Sequence, residues 1–350
     1  MKMRIAICHH FSLSFFAGGE KFVLYLAKML KERGHDVSIH SISVARKRRR
    51  NVRDVLEVPY TERWIQRIDD VDVVYYVYAP LLHQLLRTDA PKIAGLHSPM
   101  YAIDLQHDDV KRINLLTSIR YFGLLRTAAR LYFSHMQREL RTYNAVHVVN
   151  PLMKNLVKHP KVVYVPIGID VGKYRLVDPS EKPKKFTVLF VGRREWAKGF
   201  DLYVAAAKLL SNYDIRFVAT GEGNVANVQG LGFVPEERLP EIYAEAHAVV
   251  YPSRIDTVGL TILEALASGV PVITTPLPAH TAFNLPLIYA STPEEIAEKI
   301  LGVKNMYERN AEKYRELSIR GRKAAEEYDL RKVIRLYEDM IVEVLKDAKG

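Results

Sequence analysis

The chain has a single cysteine, Cys8, in 350 residues. That excludes an internal disulfide framework and suits a reducing compartment. No apolar run reaches the roughly 18 residues that a membrane-spanning helix requires. No short-period repeat is present, which argues against a solenoid or propeller. Acidic residues are outnumbered, 40 Asp plus Glu against 51 Lys plus Arg, for a formal net charge of +11. The basic surplus favours anionic partners: phosphorylated small molecules, a lipid surface or nucleic acid. His9, His10, His35 and His40 lack ligand-like spacing, and a core or solvated role is expected for them. The Asp-x-Asp of DDVDVV (69–74) superficially offers a metal site but begins an apolar strand pattern. The opening MKMRIAICHHFSLSFFAGG loosely mimics a signal peptide. The His9-His10 pair interrupts its apolar stretch and Gly18-Gly19-Glu20 leads into a periodic helix, so it reads as a first strand and loop.

What is present is a long alternation of strands and helices. Hydrophobic residues make up 48% of the chain, enough for sizeable cores, and the length suits two domains of about 150 to 175 residues. RIAIC is a short apolar strand, followed by a Gly-rich turn, an amphipathic helix ending near Gly34 and a strand at 37–40. DVDVVYYVY (70–78), KIAGLHS (92–98) and NAVHVVN (144–150) are further strands, short and β-branched or aromatic as buried parallel strands are. After YVPIGID (164–170) the polar DPSEKPKK (178–185) reads as the linker region, and FTVLFVG, IRFVATG, AHAVVYPS and VPVITTP begin the pattern again. The expected architecture is α/β: two Rossmann-like, doubly wound parallel-sheet domains facing a cleft, residues 1–166 and 167–330. One amphipathic helix closes the chain and is expected to pack back on the first domain as residues 331–350.

Ligands of open α/β sheets bind beyond the carboxyl ends of the strands, and the unusual residues cluster there. Gly192 and Arg193 follow FTVLFV, and Lys198-Gly199 opens the next helix. Two cations near a strand end and a helix N-terminus suit a diphosphate. Gly221, Glu222 and Gly223 follow IRFVAT in a tight loop that lets backbone approach a ligand. After AHAVVYPS comes RIDTVGLTILEALASGVPVITT, in which Gly259 and its neighbours precede a helix over 260–268. This stretch places Asp256 in the loop and Glu264 two turns into the helix, from where both can aim at one ligand. A carboxylate accepts two hydroxyls at once, as a sugar diol requires. The same spacing fits a plain helix start with Asp256 as cap and Glu264 in solvent, and spacing alone leaves both open.

The 256–275 stretch resembles the E-x7-E region of GT-B fold retaining glycosyltransferases of family 4. FVGRREWAKGFDLYVAAAKLL is similar to that family's Gly-Arg…Lys-Gly element, and GFVPEERLPEIYAEAHAVVYPS to its Gly-x-Val-Pro…Leu-x-x-Tyr-x-x-Ala stretch. AGGEKFVLYLAKMLKERGHDVSI resembles its first-domain Gly-Gly-x-Glu helix, and VPIGID its interdomain Pro-Asn-Gly-Val-Asp. The resemblance implies that Arg193 and Lys198 neutralise a donor diphosphate, that Glu264 binds the donor ribose and that Asp256 meets the transferred sugar. It implies backbone N–H groups from Val258, Gly259 and Leu260, a sugar contact from His97 in the first domain, and a close approach of the first loop at Gly18 and Gly19. Gly192, Gly221 and Glu222 complete the implied donor set. Four departures stand out: Asp256 is one methylene shorter than the family's Glu, Thr257 and Val258 replace Gly and Phe, Ile167 replaces Asn, and PLPAHTAFN replaces a Gly-rich loop that carries another Glu.

The implied reaction is transfer of a sugar from a nucleotide-sugar donor to a hydroxyl acceptor with retention. No cofactor and no metal are implied, the diphosphate charge being met by fixed cations and helix-start N–H groups. Two basic stretches in the first domain, ARKRRRNVR (45–53) and the aromatic-interleaved 111–143, suit an anionic membrane surface or, equally, a solvated face over packed helices. On the first of these two readings the protein is expected to be cytoplasmic and peripheral on the membrane, with a lipid-linked glycan as acceptor. No nucleic-acid-binding module accompanies them. Two other readings stay open: a catalytically weak nucleotide-sugar-binding partner subunit, and a GT-B sugar-nucleotide epimerase.

Overall fold

The computed structural model describes residues 2–10, 12–13, 18–42, 58–79, 82–99, 101, 105–108 and 133–348. The chain divides into two compact units: Met1–Ala102, Phe122–Ile167 and Leu330–Gly350 form the first, and Ile103–Tyr121 with Gly168–Asp329 the second.

The first unit is built on a parallel sheet of seven strands. In spatial order they are Tyr60–Glu62, Asp36–Ser41, Arg4–His9, Val73–Val77, Lys92–Leu96, Ala145–Val148 and Val162–Tyr164. The Val73–Val77 and Ala145–Val148 strands are buried at every position, as the continuous apolar runs of the sequence require. The Gly18–Glu32 helix lays Phe22, Val23, Leu26, Ala27 and Leu30 on the sheet. The Leu330–Asp347 helix returns from the far end of the chain and adds Val333, Ile334, Tyr337, Met340, Ile341 and Val344 to the same core. At about 1.5–3 kcal/mol for each fully buried aliphatic or aromatic side chain, this helix is an integral wall of the unit. Lys161 fastens its end through Asp347 at 2.6 Å.

The apolar strand expected over 70–78 is shorter, Val73–Val77. Asp72 is drawn out of it because its carboxylate accepts from the Arg4 backbone N–H at 2.7 Å and from the Arg4 guanidinium at 3.0 Å. Asp69 pairs with Arg67 at 3.0 Å. Among the described residues no group of three or more His, Cys, Asp or Glu is placed to hold a metal ion. The 45–53 stretch and residues 111–132 of the 111–143 stretch lie outside the described residues. Beyond them, the Phe133–Leu140 helix buries Met136 and Leu140, and Tyr143 is core against Tyr76 and Tyr78 rather than a surface aromatic. No described helix is long and apolar enough to cross a membrane.

The second unit has a parallel sheet in the order Val228–Gly230, Ile215–Ala219, Phe186–Phe190, Ala248–Tyr251, Val272–Thr274 and Ile288–Tyr289. Counted along the chain this is 3-2-1-4-5-6, the dinucleotide-fold order, whose switch point lies between Phe186–Phe190 and Ala248–Tyr251. The core joins these strands to Tyr203, Ala206, Ala207, Ile296, Ile300 and Tyr314 from the flanking helices. The 178–185 stretch is not a linker. Arg315 holds Asp178 at 3.0 Å, and the buried Lys182 donates to the Ala246 carbonyl at 2.6 Å, which ties the stretch to the second unit. In this part of the chain the passage from the first unit to the second falls at Ile167 and Gly168 instead, and the chain returns to the first unit at Leu330.

Candidate functional site

At the switch point of the second unit two loops meet. The first leaves Phe186–Phe190 through Gly192 and enters a single 3-10 turn, Trp196–Lys198. Gly199 then takes a left-handed conformation, φ 70°, and starts the Phe200–Leu209 helix. A Cβ on Gly199 would overlap the Pro252 carbonyl, so only glycine lets the second loop pack this closely. The result is that Lys198 reaches across. Its Nζ donates to Tyr251 Oη at 2.9 Å and to the Ile255 carbonyl at 3.2 Å, and lies 3.6 Å from Asp256 Oδ2.

Asp256 is the hub of the second loop. Tyr251 Oη donates to its Oδ2 at 2.6 Å, and the Thr257 and Gly259 N–H groups donate to Oδ1 at 2.8 and 3.2 Å. His280 Nε2 is 3.6 Å from Oδ2. Burial would raise the carboxyl, but Lys198, His280 and Tyr251 more than offset it and hold Asp256 below the ordinary carboxylate range. The structure differs here from the expectation that Asp256 reaches out to a sugar. The carboxylate is buried and turned into its own loop, because a buried charge must be paired and hydrogen-bonded. The Gly259 N–H is likewise engaged by Asp256 rather than presented to a ligand. Gly259, φ 71°, is the N-cap of the Leu260–Ala267 helix. Val258 before it is buried and Leu260 after it is half-buried.

Glu264 stands on the second turn of that helix, half-buried. Tyr243 Oη, from the Leu239–Glu245 helix behind it, donates to Glu264 Oε2 at 2.8 Å and orients the carboxylate.

The two arginines after Gly192 have opposite fates. Arg193 keeps 64% of its side chain exposed and pairs with Glu195 at 2.8 Å. Arg194 turns inward. Its guanidinium donates to the carbonyls of Ala219, Thr220, Gly221, Glu222 and Gly223 at 2.6–3.1 Å and stacks over Phe200. It thereby shapes the loop that carries Gly221, φ 98°, and the exposed Glu222.

Several residues of this site carry no motif signal. Gln106 is buried and reads the backbone of Asp256 twice: its Oε1 accepts from the Asp256 N–H at 2.7 Å and its Nε2 donates to the Asp256 carbonyl at 2.8 Å. His107 N–H donates to the Arg254 carbonyl at 3.2 Å. Arg254 forks onto Asp201 at 2.7 and 2.8 Å. His280, within the PLPAHTAFN stretch, has Nδ1 3.1 Å from the Thr275 carbonyl. Arg194, Tyr251, Tyr243 and Gln106 therefore complete a site of which the sequence marked Lys198, Asp256 and Glu264.

His97, Gly18 and Gly19 belong to the first unit. His97 follows the Lys92–Leu96 strand, half-buried, with its ring 4.3 Å from that of Phe22. Gly18 and Gly19 are the first residues of the Gly18–Glu32 helix, and a Cβ on Gly19 would stand 3.4 Å from His9 Nε2.

Comparison with known proteins agrees with this fold. Residues 185–305, which hold Arg193, Lys198, Asp256 and Glu264, match the family model for glycosyl transferases group 1. A 41.2 kDa protein in the cps region of Klebsiella pneumoniae is 30% identical over 156 residues, 41% of this chain and 40% of that one. The O-antigen chain mannosyltransferase B of Escherichia coli is 52% identical over 46 residues, 13% of this chain and 12% of that one. The matches thus span less than half the length of these curated relatives. A glycosyltransferase from Rickettsia africae superposes with a TM-score of 0.71 at 15% identity, over 99% of this chain and 100% of that one. Anabaena HepE, solved with UDP and glucose, does so with a TM-score of 0.70 at 14% identity, over 97% and 99%. At such identities the likeness shows the fold, which is GT-B. The resemblance to group 1 glycosyltransferases is shown over residues 185–305.

Proposed function

We propose that the chain is a retaining, metal-independent glycosyltransferase that moves a hexose from a nucleotide-sugar donor to a hydroxyl acceptor. The observation that carries this reading is the Lys198–Tyr251–Asp256 cluster at the switch point of the second unit, with a Tyr243-oriented Glu264 on the second turn of the helix that follows. A buried carboxylate fixes an ammonium at the place where open α/β sheets take phosphates. Lys198 and the exposed Arg193 would meet the donor diphosphate, and Glu264 would accept the ribose hydroxyls. Asp256 would act by holding Lys198 and the 256–260 loop in place. Gly192, Gly221 and Gly223 would let backbone approach the donor, and His97 of the first unit would accept from a sugar hydroxyl.

In this reading the bond between the sugar C1 and the diphosphate oxygen breaks first. The sugar becomes oxocarbenium-like and negative charge grows on the diphosphate, where preorganised cations stabilise it most. The acceptor oxygen bonds to C1 on the face the leaving group vacates, and its proton passes to the departing phosphate oxygen. The configuration is retained.

For the acceptor, the basic stretches 45–53 and 111–143 support a lipid-linked or membrane-proximal glycan at the cytoplasmic face. Calorimetric titration with UDP-glucose and GDP-mannose, followed by product analysis with hydroxyl acceptors, tests the core of the proposal. Release of nucleoside diphosphate with a newly glycosylated acceptor supports it. Tight donor binding without hydrolysis or transfer would instead make the chain a nucleotide-sugar-binding subunit.

A further inference from the structure

Two neighbouring apolar side chains of the first unit stand in solvent. Trp64 is 57% exposed and Ile65 61%. They form the tip of the turn that joins the Tyr60–Glu62 strand to the short Gln66–Arg67 strand. Trp64 is one of two tryptophans in the chain, and the other, Trp196, lies under the Arg254 guanidinium at 4.8 Å. The turn is braced at its base. The Arg63 N–H donates to the Ser41 carbonyl at 3.1 Å. The buried Gln66 amide donates to the same carbonyl at 2.8 Å and to the Arg63 carbonyl at 3.2 Å, and its oxygen lies 3.1 Å from His40 Nδ1. Just beyond, the Ile68 N–H donates to the Arg87 carbonyl at 2.8 Å. One glutamine thus closes the turn from inside while the indole and the isoleucine stay outside, so a partner that takes them has little backbone left to order.

We propose that Trp64 and Ile65 form a prong that inserts into the interface of an anionic bilayer. Two such side chains present no more than about 400 Å², well below the roughly 800 Å² per partner that a stable protein–protein interface buries. A bilayer has no fixed shape to complement, and an indole with an aliphatic neighbour suits the boundary between headgroups and acyl chains. Arg63 and Arg67 flank the prong, both exposed. Arg67 is met by Asp69 and Asp89, whereas Arg63 has no carboxylate partner among the described residues and is left for a lipid phosphate. In sequence the cationic run 46–50 follows Ser41, the anchor of the turn, by five to nine positions and adds attraction to negative headgroups. The proposal deepens, and to that extent rests on, the membrane-proximal acceptor reading above, while the binding itself requires neither donor nor acceptor.

Co-sedimentation of the full chain with phosphatidylcholine vesicles, with and without phosphatidylglycerol, tests it in the absence of any sugar. The proposal expects binding to the anionic vesicles, about tenfold weaker for the double variant Trp64→Ala with Ile65→Ser and close to wild type for Trp64→Phe. Lipids brominated just below the headgroup should quench the tryptophan fluorescence of bound wild type but not of bound Trp64→Phe, whose remaining tryptophan, Trp196, belongs to the second unit. All three substitutions replace exposed side chains, so the melting curves should coincide with that of wild type. Equal binding by wild type and the double variant, or wild type bound without quenching, overturns the prong and leaves the membrane-proximal acceptor reading in place. A wild type that binds neither vesicle overturns both and leaves the nucleotide-sugar reading untouched. A dimer seen by light scattering that the double variant loses, without vesicle binding, assigns the prong to a second copy of the chain and likewise overturns the proposal.

Discussion

Tyr251 Oη donates to Asp256 Oδ2 at 2.6 Å while accepting from Lys198 Nζ at 2.9 Å, so one phenol links the ammonium and the carboxylate of the site. Burial raises the Tyr251 hydroxyl well above its ordinary range, which keeps it a neutral donor beside the carboxylate. Asp256→Asn should therefore break a buried charge pair while nearly keeping the shape. Loss of one partner of such a pair costs about 3–5 kcal/mol. We expect a clear drop in the unfolding midpoint by calorimetry and loss of most turnover, with Tyr251→Phe intermediate on both scales. A variant with native stability and native turnover would show that Asp256 is dispensable to the cluster.

In the proposed reading Glu264 meets the ribose and is set apart from the reacting bond. Glu264→Gln keeps an acceptor oxygen but loses the charge that strengthens bonds to ribose hydroxyls, worth about 1.5–3 kcal/mol in a charge-assisted bond. We expect UDP binding by calorimetry to weaken, with turnover at saturating donor within about twofold of wild type. Tyr243→Phe, which removes the 2.8 Å bond that orients the carboxylate, should weaken UDP binding less than Glu264→Gln does. Unchanged UDP affinity in Glu264→Gln would remove this residue from the ribose site.

Arg193 and Arg194 should separate cleanly. Arg194 satisfies five carbonyls of the 219–223 loop, so Arg194→Ala should destabilise the second unit by about 3 kcal/mol. Arg193→Ala removes an exposed ion pair worth at most about 1 kcal/mol. It should leave the melting curve nearly unchanged while weakening UDP binding. A reversal of the two phenotypes in paired melts and titrations would overturn the assignment of Arg193 to the diphosphate.

The contrast between these arginines shows where sequence reading stops. Adjacent cations after a strand look alike in one dimension. Which one turns inward is decided by the carbonyls of a loop some 25 to 30 residues later, and no periodicity encodes that. The parallel sheets were legible because apolar strands buried on both faces leave unbroken runs such as VLF and VVYY. The second sheet's 3-2-1-4-5-6 order was not legible, because strand–helix alternation says that the strands are parallel but not which of them lie side by side. The Gly259 helix start and the Asp256–Glu264 spacing were legible. Gln106 was not: it meets the Asp256 backbone across 150 residues with no local pattern to mark it. The 178–185 stretch misled for a related reason. Its composition is that of a linker, but Lys182 and Asp178 find carbonyl and arginine partners far along the chain.

Acid should weaken the first unit through His147. Tyr75, His97 and Tyr337 face this ring, and none of them is an anion that could stabilise its charge. Burial lowers His147 from 6.5 to about 4, the bond to the Val165 carbonyl offsetting only part of the shift. Between these values the unfolded chain binds a proton that the folded chain does not, so stability rises with pH across the window. The contribution is fully present above about pH 6.5 and is lost as pH falls toward 4, amounting to about 3 kcal/mol at 1.36 kcal/mol per pH unit. His97, lowered by burial and by neighbouring His147, acts in the same direction. Protonated His147 would also donate from Nδ1, which forces the Tyr75 hydroxyl to turn its hydrogen away from His147 and toward His97 Nε2. Urea unfolding at pH 7, 6 and 5 should show a falling midpoint. His147→Gln, whose amide can donate to Val165 and accept from Tyr75 without titrating, should flatten that dependence. Parallel curves for wild type and His147→Gln over the window would mean that His147 is not held neutral in the folded unit.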